Sequence, residues 1–141
     1  VYSALPHVLP RIGITAARLG IREIPGRPAL EYFLQPSKRH NVGARNFAES
    51  ALNVVPQNAV IIADHTLLQP MLYLQAVENV RPDVRAVEIL LEDQVSYALS
   101  QSRQNPVFLA RTEPYYDISG LNRFFRIVPQ GVVFRLVPLP Y

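Results

Sequence analysis

Three short polar segments of this chain hold residue types that can do chemistry. The first is Asp64-His65-Thr66, directly after a wholly apolar run. Asp64 and His65 can work as an acid/base pair or supply two ligands to a metal. The same segment has a plainer use, in which Asp64 or Thr66 caps a helix and His65 faces solvent. The second segment, Arg111-Thr112-Glu113-Pro114-Tyr115-Tyr116-Asp117, combines a cation, two carboxylates and two phenols. That set suits a sugar or a phosphate, and it equally suits a solvated loop whose tyrosines pack over a sheet edge. The third, Glu92-Asp93, is placed to complement a helix dipole. The candidate ligand-binding residues are therefore Asp64, His65, Arg111, Glu113, Tyr115 and Tyr116, with no catalytic set and no metal-ligating set among them.

Other polar residues fit structural roles. Lys38-Arg39-His40 stands ahead of a helix, where it can meet an anion or remain solvated. His7 has no partner in the sequence. Arg81-Pro82-Asp83 reads as a turn in which Arg81 and Asp83 serve nearby backbone groups. The sequence contains no GxGxxG, no GxxxxGK[ST], no GxSxG and no HExxH, so no cofactor is expected. Cysteine is absent, which excludes disulfides, thiolate metal sites and thiol nucleophiles.

The elements that must carry these segments can be read from periodicity and punctuation. Residues 1–28 are an irregular, partly helical lead-in, interrupted by Pro6, Pro10 and Gly13, and Ile24 to Pro28 reads as a turn. Leu30 to Leu34 (LEYFL) reads as a first strand closed by Pro36. From Val42 to Val54 the apolar residues Phe47, Ala48, Ala51, Leu52 and Val55 recur at helical spacing. Ala59 to Ala63 (AVIIA) is short, apolar and rich in branched residues, the signature of a strand buried on both faces. A helix follows with Leu67, Met71, Leu74 and Val77 inward. Val84 to Leu91 gives a third strand, and Asp93 to Arg103 a helix with Val95, Ala98 and Leu99 inward. Val107 to Ala110 gives a fourth strand, and Arg111 to Arg123 a polar loop. Phe124 to Val128 and Val132 to Val137, joined through Pro129-Gln130-Gly131, form a hairpin.

This alternation specifies an α/β fold: a three-layer, mostly parallel, doubly wound (Rossmann-like) sheet with a C-terminal antiparallel β-hairpin, built as one domain over residues 29–141. In such sheets ligands bind at the strand carboxyl ends, which is where the three polar segments fall.

Composition agrees with a folded domain. The 141 residues are 49% hydrophobic and 18% charged, enough apolar material for one core. The net charge is +3, but the basic residues are scattered, apart from Lys38-Arg39-His40 with Arg45 close behind. No basic stripe interleaved with aromatics is present, so no nucleic-acid partner is expected. The longest apolar run, Ala59 to Ala63, is far short of the ~20 residues a membrane helix needs. The chain opens at Val1 without Met, which points to an excised domain or a processed product.

From about Leu30 onward the sequence resembles the soluble C-terminal part of the bacterial protein O-mannosyltransferase-like integral-membrane family. The resemblance rests on Ala51-Leu52, on Pro56-Gln57-Asn58-Ala59-Val60-Ile61-Ile62-Ala63-Asp64, and on Tyr73-Leu74-Gln75-Ala76-Val77-Glu78-Asn79-Val80-Arg81-Pro82-Asp83-Val84. It covers roughly two-thirds of the chain. Family members typically show a YLQ-x-VE-x-VRPDV stretch after a strand that ends in an acidic residue. Here Asn79 stands where glycine is frequent, and Ala63 replaces the glycine of a Gly-Asp strand end. The resemblance implies a polytopic parent with a glycosyltransferase membrane region of the lipid-linked-donor type, whose acidic catalytic residues lie in membrane loops. The soluble part is then a non-catalytic, extracytoplasmic accessory domain. Its partners are the membrane-embedded remainder of the parent and a glycan, peptide or lipid head group. The alternative is a free-standing small α/β ligand-binding domain or enzyme with its site at the strand carboxyl ends.

Overall fold

The computed structural model describes residues 9–25, 28–34 and 42–140. The chain divides into two compact units, Val1–Phe47 and Ala48–Tyr141. In the first, a 3-10 turn at Leu9–Ile12 ends at Gly13, which takes a left-handed φ of 79°. The Arg18 guanidinium donates to the Gly13 carbonyl at 2.9 Å. Ala29–Leu34 is a short helix, α1, where a strand was expected. The reason is local: the segment has no β-branched residue, and alanine, leucine and glutamate favour a helix. Pro28 just ahead of it sacrifices no helical hydrogen bond. Gly26-Arg27 of the expected turn, Pro36, Lys38-Arg39-His40 and His7 lie outside the described residues.

The division falls within α2, Gly43–Val54. Its buried residues, Phe47, Ala48, Ala51 and Leu52, with Val55 just beyond, make one apolar stripe. Pro56 ends the helix and Asn58, at φ 58°, turns the chain into β1, Val60–Ile62.

The second unit is an α/β fold with a five-stranded, open, mixed sheet. α3 spans His65–Glu78, β2 Arg85–Val87, α4 Gln94–Gln101 and β3 Val107–Leu109. A short α5, Ile118–Leu121, interrupts the polar loop. β4, Phe125–Gln130, and β5, Val133–Pro138, complete the sheet. The strand order is β2-β1-β3-β5-β4. β1 pairs in parallel with β2 and with β3, Ile61 opposite Ala86 and Phe108. β5 runs antiparallel to β3 and β4. The hairpin therefore extends the parallel strands on the β3 side, as the sequence indicates.

Every residue of β1 and β3 is buried, as befits the parallel strands at the centre of the sheet. β2, at the margin, is more exposed and shorter than the expected Val84 to Leu91 strand. Beyond Val87 the chain leaves the sheet and closes a 3-10 turn at Leu91–Asp93. Val77 does not face inward; it is 64% exposed. The buried residues of α3 are Leu67, Leu68, Met71 and Leu74, a stripe centred between Leu67 and Leu68. At ~100° per residue Val77 falls more than a right angle from the centre of that stripe, beyond its Leu74 edge.

Two prolines sit in the hairpin without breaking it. The Leu139 amide donates to the Phe124 carbonyl at 2.9 Å. Antiparallel pairs alternate between hydrogen-bonded and non-bonded, so Pro129, opposite Phe134, occupies a non-bonded position. Its missing N–H faces away from β5, on the side where no described strand pairs with β4. The turn is Gly131-Val132, with Gly131 at φ 61°, the position at which a two-residue II′ turn calls for glycine.

Arg81 ties the amino end of the sheet together. Its Nε and Nη2 donate to the two carboxylate oxygens of Asp83, both at 2.9 Å. Nη1 donates to the carbonyls of Leu52 (2.7 Å) and Val55 (3.0 Å), and Nη2 also to that of Pro56 (3.1 Å). The guanidinium thus closes the open carbonyl end of α2. Asp83 in turn accepts the Asn58 amide at 3.0 Å, and Gln75 donates to the carbonyls of Arg81 and Val84. The bidentate bond to Arg81, and then the Asn58 amide, hold the Asp83 carboxyl far below its ordinary value, and Asp83 raises that of Arg81. Gln75, Arg81 and Asp83 of the segment Tyr73–Val84 all belong to this knot.

Candidate functional site

The path β1–α3–β2 runs to one side of β1, and β2–α4–β3 returns past it to the other. The strand order therefore reverses between β1 and β3, and the crevice beyond their carboxyl ends is the place where an open α/β sheet presents a ligand site. Ala63-Asp64 leaves β1 there, and Ala110-Arg111 leaves β3.

Asp64 is the cap of α3. Its backbone is extended (φ −72°, ψ 161°) and its Oδ2 accepts the Thr66 amide at 3.2 Å. Tyr116 reaches across from the β3 loop and is buried. Its hydroxyl donates to Asp64 Oδ1 at 2.8 Å and accepts the Asp64 amide at 3.0 Å. The two loops read from sequence as separate candidates are thereby joined by one side chain. Both oxygens of the carboxylate are engaged.

The remaining candidates stand around this bridge. His65 is exposed, and its Nδ1 lies 3.4 Å from a carboxylate oxygen of Glu88, itself half exposed. Arg111 donates from Nε to Glu113 at 3.2 Å within its own loop. Tyr115 points outward and is 54% exposed, so of the two tyrosines only Tyr116 packs into the protein. Glu92 and Asp93 lie in the 3-10 turn ahead of α4, and Asp93 makes no side-chain capping bond.

Two residues of this region were not singled out from sequence. Glu88 is the partner of His65 and follows β2. Gln94, at the start of α4, is buried and fixes the whole β3 loop. Its Nε2 donates to the carbonyls of Ile89 (3.2 Å) and Tyr115 (3.0 Å), and its Oε1 accepts the Asp117 amide at 2.8 Å. A signal for it exists: Gln94 lies four residues before the inward Ala98, so helical spacing puts this polar side chain on the inner face. Asp117 then caps α5 by accepting the Gly120 amide at 3.0 Å.

Among the described residues no group of three His, Asp or Glu side chains is placed to hold a metal ion, and no helix is long and apolar enough to cross a membrane. Comparison with family models, with characterised proteins and with solved structures finds no match.

Proposed function

We propose that this chain is a non-catalytic accessory domain of a bacterial membrane protein with a glycosyltransferase-like membrane region. In this reading it lies outside the cytoplasm and recognises a glycan at the carboxyl end of β1 and β3. The observation that carries the proposal is the state of Asp64. A carboxylate that caps a helix through one oxygen and accepts a buried tyrosine hydroxyl through the other serves architecture, not proton transfer. The exposed Tyr115 ring beside it, with the Arg111–Glu113 pair and His65, makes an amphipathic rim. Such a rim suits the mixed polar and apolar faces of a sugar.

A doubly wound arrangement belongs to the same reading. The crossovers β1–α3–β2 and β2–α4–β3 run in opposite directions across the sheet, so with both right-handed α3 and α4 cover opposite faces. That arrangement leaves the β1/β3 crevice open only at its end, where Tyr116 stands.

Glycan-array binding with the isolated chain tests the proposal. Binding is expected to disappear in Tyr115→Ala and to survive in Asp64→Ala, whose defect is in stability. Turnover of any arrayed glycan, or silence across glycans in a folded protein, would sink it.

A further inference from the structure

The opposite end of the sheet carries a second surface of different chemistry. A cleft of ≈ 510 Å³ is lined by Leu99, Arg103, Arg123, Phe124, Pro138 and Leu139, among others. A neighbouring cleft of ≈ 400 Å³ shares Ser102, Arg103 and Pro138 with it and adds Arg135. Neither lining contains an aspartate or a glutamate. The guanidiniums of Arg103 and Arg123 make no hydrogen bond or ion pair among the described residues. Arg135 lies over the Phe108 ring at 5.8 Å. Arg81 shows how this fold treats an arginine it needs for itself, with every donor engaged; these three are left facing outward. Between them stand Phe124 and Leu139, each 39% exposed, with Pro138 and Pro140.

We infer that this surface docks onto anionic phospholipid at a bilayer face. Three cations without a neutralising carboxylate select an anion. Interleaved phenylalanine, leucine and proline favour a partner that presents apolar matter directly beneath its charge, as the headgroup–acyl boundary does. A nucleic acid would satisfy the arginines, but it asks for flat aromatic platforms, and Phe124 is the one exposed aromatic in these linings. The inference does not rest on the glycan reading, which concerns the other end of the sheet.

The chain has no tryptophan, so Phe124→Trp places a single fluorescent reporter in the larger cleft. The variant is titrated with vesicles of phosphatidylcholine alone and of phosphatidylcholine mixed with phosphatidylglycerol. A blue shift is expected with the mixed vesicles only, and it should weaken as salt shortens the Debye length. Adding Arg103→Gln and Arg123→Gln should reduce partitioning by about fivefold per arginine. No shift with the mixed vesicles, an equal shift with neutral vesicles, or indifference to the arginine changes would each overturn the inference. A shift with a single-stranded oligonucleotide and none with vesicles would overturn it in favour of a nucleic-acid surface.

Discussion

Replacing Arg81 is the most informative perturbation of this fold, because one side chain closes α2, the start of β1 and the turn before β2. Arg81→Ala removes three bonds to the carbonyls of Leu52, Val55 and Pro56. The side chain is about a quarter exposed, so water can partly replace it. At about 1 kcal/mol net for each bond, the loss is about 3 kcal/mol. Arg81 also holds a left-handed φ of 46°, which an alanine must keep and a glycine adopts freely. Arg81→Gly should therefore recover about 1 kcal/mol of that loss. Lysine offers one ammonium in place of a planar fork and cannot reach the three carbonyls and both Asp83 oxygens together. It should fall between the wild type and alanine. Urea unfolding followed by far-UV circular dichroism measures all three variants. If Arg81→Ala stays within about 0.5 kcal/mol of wild type, or Arg81→Gly is the worse of the two, the reasoning fails.

Four further outcomes follow from the same structure. The Asp83 carboxyl is held below its ordinary 3.8, so its contribution is complete above that value and fades as pH falls through the lowered one; Asp83→Asn should flatten the acid limb of a stability–pH curve below about pH 4. Tyr116→Phe should cost about 1–2 kcal/mol, and Asp64→Ala should cost less in that background than alone, because the two share a bond; a double-mutant cycle of unfolding energies measures the coupling. Asn79 ends α3 at φ 54°, with its own amide and that of Val80 donating to the Leu74 carbonyl. Asn79→Gly should be neutral or raise the melting temperature, and a clear fall would contradict the cap. Gly131→Ala combines a left-handed φ with a Cβ 2.9 Å from Val54 Cγ2 and should destabilise by about 1–3 kcal/mol in the same denaturant assay.

The central elements were legible because their residues obey one simple rule each. AVIIA is buried on both faces, and the stripe of α2 repeats at helical spacing. The hairpin was legible for the same reason, although its strands run through Pro129 and its turn falls at Gly131-Val132, one step later than the prolyl turn suggested. LEYFL was misread because its four apolar and aromatic residues around Glu31 show no period of their own; the lack of a β-branched residue and the helix-favouring alanine, leucine and glutamate decide for the helix. The site was legible as positions and not as pairings. Asp64 and Tyr116 are far apart in the chain, and nothing in either segment announces that one hydroxyl spans them. Gln94 escaped because a buried amide looks like a surface one until its partners are known.

Pro129 has a consequence for how copies of this protein behave when crowded. β4 is a six-residue strand that stands last among the described strands of the sheet, and a strand in that position is the kind of template on which another chain can assemble. On its side away from β5 the amides of Phe125 and Ile127 point outward, and at the next outward position stands an imino nitrogen with nothing to donate. A second copy laid against it would lose registry after two bonds, and its own Pro129 would impose the same defect in return. The residue therefore acts as a chain terminator for sheet growth, opposing polymerisation along this strand at high protein concentration.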